Sequence, residues 1–152
     1  MVVEPICIYL IRFFIMNIEI FIIEDDFVFA RVLSEKLDDV KQQFQKEGVT
    51  ITCHTFYSAR EASYELDKKP DIILLDYFIM NDDLEPETAT EFLKTIKKYD
   101  PRLDVLIVSG QESPAISREL LAHGASAYIS KDPEEILHLS QKITELIQKR
   151  LK

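Results

Sequence analysis

Four short apolar runs in this chain each end on a group that could do chemistry. The run Phe21–Ile23 stops at Glu24, Asp25 and Asp26; "DIILLD" closes on Asp76; "RLDVLIVSG" carries Ser109; and "SAYIS" is followed by Lys131. Like charges at the tip of a buried run need a cation or water beside them. An open, carboxylate-rich site with oxygen ligands suits Mg²⁺, which keeps several waters. Such a metal and a lysine together neutralise the oxygens of a phosphoryl group in transfer. A carboxylate facing that group can act as nucleophile and become an aspartyl phosphate. Asp76, alone at the end of its run, is the candidate nucleophile. Ser109 could hydrogen-bond one phosphoryl oxygen and Lys131 could pair with another.

For these groups to meet, the runs must be neighbouring strands. Ile18–Ile23 reads as a buried strand. From Phe27 to Lys46 the apolar positions Val28, Val32, Leu33, Leu37, Val40 and Phe44 recur at helical spacing, and Gly48 follows. Val49–Phe56 is strand-like. "SARE", Ser58–Glu61, is a capping box opening a helix to about Lys68. Asp71–Asp76 is a second continuous apolar strand. Residues Asp82–Glu87 form an acidic loop, and Pro86 is expected in the first turn of a helix reaching about Tyr99. Arg102–Gly110 is a strand. Ser113 and Pro114 begin a helix that ends near His123 and Gly124. Ser126–Ser130 is a short strand, and Asp132 and Pro133 are the N-cap and first residue of the last helix.

Five strand–helix pairs with continuous apolar strands predict an α/β fold. The expected architecture is a doubly wound, parallel, five-stranded (βα)5 sheet covered on both faces. Parallel strands deliver ligand-facing groups at their carboxyl ends. Glu24, Asp25, Asp76, Ser109 and Lys131 would therefore converge at one edge. Asp26 is better placed to cap the first helix than to bind a ligand.

Composition narrows the function classes. The chain has 152 residues, 47% hydrophobic and 30% charged, which fits one folded domain. A net charge of −9 argues against non-specific nucleic-acid binding and allows a divalent cation or a basic partner. Cys7 and Cys53 form no zinc spacing, consistent with a reducing cytoplasmic setting and with Cys53 as a small core residue. His54, His123 and His138 have no metal-ligand partner at useful spacing. Residues 1–16 are read as a hydrophobic extension, with residues 17–152 as the domain. Ile6–Met16 is apolar except for Arg12 and is shorter than the roughly 20 residues of a membrane span, so stable insertion is not expected. Met16 would itself make a natural start.

The ordered set "IFIIEDD", "DIILLD", "VLIVSG" and "AYISK" resembles the receiver domains of bacterial response regulators, over roughly Asn17 to Lys152. The intervals also agree: 51 positions from Asp25 to Asp76, 33 on to Ser109, and 22 on to Lys131. The resemblance implies the flavodoxin-like receiver fold, with Asp76 as phosphoacceptor and Mg²⁺ as cofactor. It implies that Asp25 binds the metal directly, that Glu24 acts through water, and that the backbone carbonyl of Phe78 is a further ligand. Ser109 would be the switch hydroxyl and Tyr128 the aromatic that moves with it. The implied partners are a histidine kinase or histidine phosphotransfer protein and a downstream protein target, without nucleic acid. Homodimerisation stays open. Because the chain ends with its fifth helix, a stand-alone response regulator acting through protein contacts is expected.

Two departures bear on mechanism. Met80 occupies the place where the family usually carries proline, and "DYFIMNDDLEPETATEF" has no glycine. An altered segment between the third strand and the next helix is therefore expected. Lys131 is followed by Asp132 in place of the common proline. A cis bond there would cost about 3 kcal/mol, so a trans peptide is expected. Phe78 stands where a phosphatase would need a proton-transferring group. The chain is therefore not expected to be an enzyme beyond its own phosphoryl transfer, and phosphate should leave Asp76 slowly. The rival reading is a phosphate-independent interaction module on the same fold.

Overall fold

The computed structural model describes residues 16–80, 86–111 and 113–152. In chain order the elements are β1 (Met16–Ile23), α1 (Phe27–Gln45), β2 (Val49–Phe56), α2 (Ala59–Tyr64), a 3₁₀ turn (Leu66–Lys68), β3 (Ile72–Asp76), β4 (Phe78–Met80), β5 (Pro86–Thr88), α3 (Ala89–Tyr99), β6 (Asp104–Ser109), α4 (Pro114–Ala122), β7 (Ala127–Ser130) and α5 (Pro133–Leu151). Five strands form one parallel sheet in the order β2-β1-β3-β6-β7. The predicted (βα)5 architecture is thus the observed one, apart from an added antiparallel pair, β4 with β5.

Alternation along the central strands divides the core in two. Ile18, Ile20 and Ile22 of β1, Ile72 and Leu74 of β3, and Leu106 and Val108 of β6 pack under α1 and α5. Phe21 and Ile23, Ile73 and Leu75, and Val105 and Ile107 face α2, α3 and α4. A strand buried on both faces has to be apolar at every position, which is why these runs are continuous. Each fully buried Ile, Leu or Phe contributes about 1.5–3 kcal/mol relative to its exposed state.

Local signals set the helix ends. Asp26 caps α1, its Oδ1 accepting from the N–H groups of Val28 (2.9 Å) and Phe29 (3.1 Å), so it is engaged as predicted. Ser58 accepts from Glu61 N–H at 3.1 Å, while the Glu61 carboxylate accepts from Tyr57 N–H. Ser113 and Asp132 cap α4 and α5, each with proline just inside. At the end of α4 the N–H groups of Gly124 and Ala125 return to the carbonyls of Leu121 and Leu120. This closure needs a left-handed residue, and Gly124 has φ +98°.

Three expectations change. Helix α2 ends at Tyr64 and continues only as a 3₁₀ turn, closed by Lys69 at φ 55°. Pro86 lies not in the first turn of a helix but at the start of β5, opposite Met80, and α3 begins at Ala89. Of the expected acidic loop Asp82–Glu87, Pro86 and Glu87 belong to β5, and residues 81–85 lie outside the described residues. So do residues 1–15, including Cys7. Cys53 is half-buried against the α1/α5 core. The Lys131–Asp132 peptide is trans.

The opposite, amino-terminal edge of the sheet is tied by Arg150 near the end of α5. Its guanidinium contacts Asp71 at 3.4 Å and Asp104 at 3.0 Å, and it also donates to the Arg102 carbonyl. Among the described residues, no helix is long and apolar enough to cross a membrane.

Candidate functional site

All five groups read from the strand ends gather at the carboxyl edge of the sheet. Glu24 follows β1 directly, and its N–H donates to Phe56 O, extending the pairing of β1 with β2. Its side chain is fully buried (0% exposed). One oxygen accepts from Asp26 N–H at 3.1 Å and the other from Lys131 Nζ at 2.7 Å. Asp76 is the last residue of β3, 7% exposed, with Lys131 Nζ at 3.1 Å. Ligand oxygens of Glu24, Asp25 and Asp76 all lie within 4.8 Å of one another.

Burial dominates the electrostatics. It raises the Glu24 carboxyl to about 7, against the Lys131 hydrogen bond and with the Asp76 charge adding to the rise. Burial likewise raises Asp76, with Lys131 opposing. For Lys131, burial alone would favour the neutral amine, but the bond to Glu24 and the Asp76 charge outweigh it and hold the ammonium charged. Three carboxylates against one ammonium leave two negative charges uncompensated when all are ionised. An all-oxygen donor set with that deficit fits a hard divalent cation.

Lys131 is positioned from several sides. Its backbone N–H donates to Ser109 O at 2.7 Å, joining the ends of β6 and β7. Its Nζ also lies 4.4 Å from the centroid of the Phe29 ring, a cation–π contact. Phe29 and the Met80 backbone N–H, which donates to Asp25 at 3.1 Å, are two partners that residue types alone did not reveal.

Ser109, 1% exposed, ends β6. Its oxygen accepts from Gln111 N–H at 3.1 Å, which leaves its own proton available to another acceptor. The Tyr128 hydroxyl donates to the Gln111 carbonyl, while its ring packs half-buried on the α2/α3/α4 side of the core. A single residue, Gln111, thus links Ser109 to Tyr128. Phe78 lies two residues beyond Asp76, at the start of β4, with its side chain 42% exposed. His54 of β2 bonds Glu19 of β1 at 2.9 Å, and neither belongs to the carboxylate cluster.

The arrangement can hold a cation, present a carboxylate nucleophile and receive a phosphoryl group between an ammonium and a hydroxyl. Comparison with solved structures finds the same fold. The signal receiver domain of a DNA-binding response regulator from Colwellia psychrerythraea 34H is 22% identical, with 86% of this chain and 98% of that one covered and a TM-score of 0.72. The signal receiver domain of a putative LuxO repressor protein from Vibrio parahaemolyticus is 19% identical, over 88% of this chain and 92% of that one, with a TM-score of 0.71. A beryllofluoride-activated DrrB receiver domain is 17% identical, over 88% and 99% of the two chains, with a TM-score of 0.69. No curated protein sequence matches. The family model described as the response regulator receiver domain matches residues 20–143, spanning every group of the site, and the chain belongs to that family.

Proposed function

We propose that this chain is a phosphorylation switch of two-component signalling, with Asp76 as the phosphoacceptor. One observation carries the reading: a single ammonium, Lys131 Nζ, is held 2.7 Å from Glu24 and 3.1 Å from Asp76 at the edge where Ser109 also emerges. An Asp76 oxygen attacks phosphorus on a phosphohistidine of a histidine kinase or histidine phosphotransfer protein. The P–N bond breaks, its electron pair stays on the imidazole, and the ring takes up a proton from solvent. Lys131 then pairs with one phosphoryl oxygen and Ser109 donates its hydroxyl proton to another.

Glu24, Asp25, Asp76 and the Phe78 backbone carbonyl are the groups that would hold Mg²⁺. When bound, that ion supplies positive charge to the phosphoryl oxygens. If Ser109 turns toward phosphate, its bond from Gln111 is lost and Gln111 is free to release Tyr128. The surface of α4 and β7 would then change and bind a downstream protein target in the cytoplasm. Phe78 cannot transfer a proton or orient a water, so the phosphoryl group should persist on Asp76 and the chain should turn over no further substrate.

The test is intact-mass spectrometry after incubation with acetyl phosphate and Mg²⁺, beside Asp76→Ala. A single phosphate adduct, missing in the variant and without Mg²⁺, is the expected result. It should decay slowly in native buffer, and decay within seconds would overturn the stability of the adduct. A second reading, a phosphate-independent docking module, draws on the hairpin that replaces the usual proline-containing segment. It predicts no adduct and no Mg²⁺ binding.

A further inference from the structure

Asp25 is held differently from its two neighbours. Glu24 and Asp76 share the Lys131 ammonium. Asp25 instead accepts, through Oδ2, a hydrogen bond from the Met80 backbone N–H at 3.1 Å. Met80 is the last residue of β4 and stands opposite Pro86. Proline has no N–H to give to that pair, and the N–H of Met80 is committed to Asp25. A proline at position 80 could not make this contact at all.

We propose that the Met80 N–H is the positioning group for Asp25, and that the β4–β5 hairpin is a clasp whose closure and cation occupancy stabilise one another. The proposal rests on the cation-site reading given above. A carboxylate has two oxygens and about four acceptor positions. A donor fixed on Oδ2 sets the plane of the group and leaves Oδ1 for a cation. Without it, the half-buried Asp25 would turn among rotamers and into water. A backbone donor to a charged acceptor is among the stronger hydrogen bonds and spends no side-chain entropy of its own.

The hairpin is built to hold that donor still. Ile79, between exposed Phe78 and Met80, is 2% exposed and packs in the same core as Leu93 and Ile96 of α3. At the base of the hairpin, Ala89 N–H donates to Tyr77 O at 2.8 Å. Coupling between two binding events is reciprocal. A closed hairpin therefore favours the cation, and the cation should slow opening of the Met80 amide.

Titration calorimetry with Mg²⁺ on the full chain tests this. Met80→Pro, which deletes the N–H, should weaken Mg²⁺ binding about 5-fold or more, the lower end of the usual coupling range. The conservative Met80→Leu, which keeps the N–H, should restore the wild-type affinity. Affinities that are equal for the two variants, whether both normal or both weakened, overturn the clasp. Should Met80→Pro fail to fold, hydrogen exchange of the wild-type protein decides. The Met80 amide should exchange more slowly at saturating Mg²⁺ than with chelator, and an unchanged rate overturns the proposal. A wild-type chain that binds no Mg²⁺ sinks the cation-site reading and this one with it. Wild-type affinity in a folded Met80→Pro sinks the clasp alone.

Discussion

Replacing Glu24 by glutamine removes one charge from a fully buried cluster, and its consequence for stability can be worked from the structure. In metal-free protein, burial raises the Glu24 carboxyl from 4.5 to about 7. An acid whose folded pKa exceeds its unfolded one holds its proton more tightly when folded. Its penalty is therefore absent below the unfolded value, grows as pH rises from 4.5, and is complete above about 7. At roughly 1.4 kcal/mol per pH unit, ionising Glu24 in the folded state costs about 2 to 3 kcal/mol once the coupling to Lys131 and Asp76 is allowed for. Glutamine does not ionise and still offers a carbonyl oxygen to Asp26 N–H or Lys131. Urea unfolding with a chelator, followed by circular dichroism, should show Glu24→Gln gaining about 2 kcal/mol on wild type between about pH 5 and about pH 8. Comparing the two proteins at each pH cancels the other titrating groups. Excess Mg²⁺ should reverse the advantage at the higher pH, because only the ionised cluster binds it well. A gap between variant and wild type that does not change with pH would refute the reasoning, since Glu24 would then ionise at its ordinary value.

Two further outcomes follow from particular residues. Gly124→Ala should cost about 1 to 2 kcal/mol in chemical denaturation, because φ is +98° and the new methyl would meet Lys97 Cε at 3.2 Å. Gly110→Ala, whose methyl would meet nothing nearer than Lys131 Cδ at 4.0 Å, should leave the midpoint nearly unchanged. Burial raises the Cys53 thiol, with Lys41 opposing, so little thiolate exists at neutral pH. Alkylation mapped by peptide, which scores Cys7 separately, should therefore be slow at Cys53 in native protein and fast after unfolding. Equal rates at Cys53 would contradict its placement against the core.

Much of this molecule was legible because its strands are buried on both faces. Such strands must be apolar at each step, so Ile72–Leu75 and Val105–Val108 announce both their type and their central place. Once the strands are parallel, the residue after each run is fixed to one edge, which brings Glu24, Asp76, Ser109 and Lys131 together without any knowledge of packing. Capping residues were equally plain, because Asp26, Ser58, Ser113 and Asp132 act within three positions of themselves.

What escaped depends on backbone groups and on distant pairs. The hairpin is three residues against three, too short for a period to show. Pro86 fits a helix start as well as the first residue of a strand, so local preference pointed the wrong way. The donors Met80 N–H and Gln111 N–H belong to the chain and leave no mark in residue type. Phe29 sits 102 positions before Lys131 and looks like any apolar residue on a helix until the fold places the ammonium over it.

The two edges of the sheet repeat one motif with different cations. At the amino edge Arg150 lies between Asp71 and Asp104, as Lys131 lies between Glu24 and Asp76 at the carboxyl edge. The guanidinium is flat, permanently charged and fixed by several donors, whereas the ammonium is a compact charge on a flexible stem that can change partners. One end of the molecule is thereby riveted and the other left adjustable. Rearrangement at the carboxyl edge has a fixed footing to work against, and motion there need not loosen the register of β3 against β6.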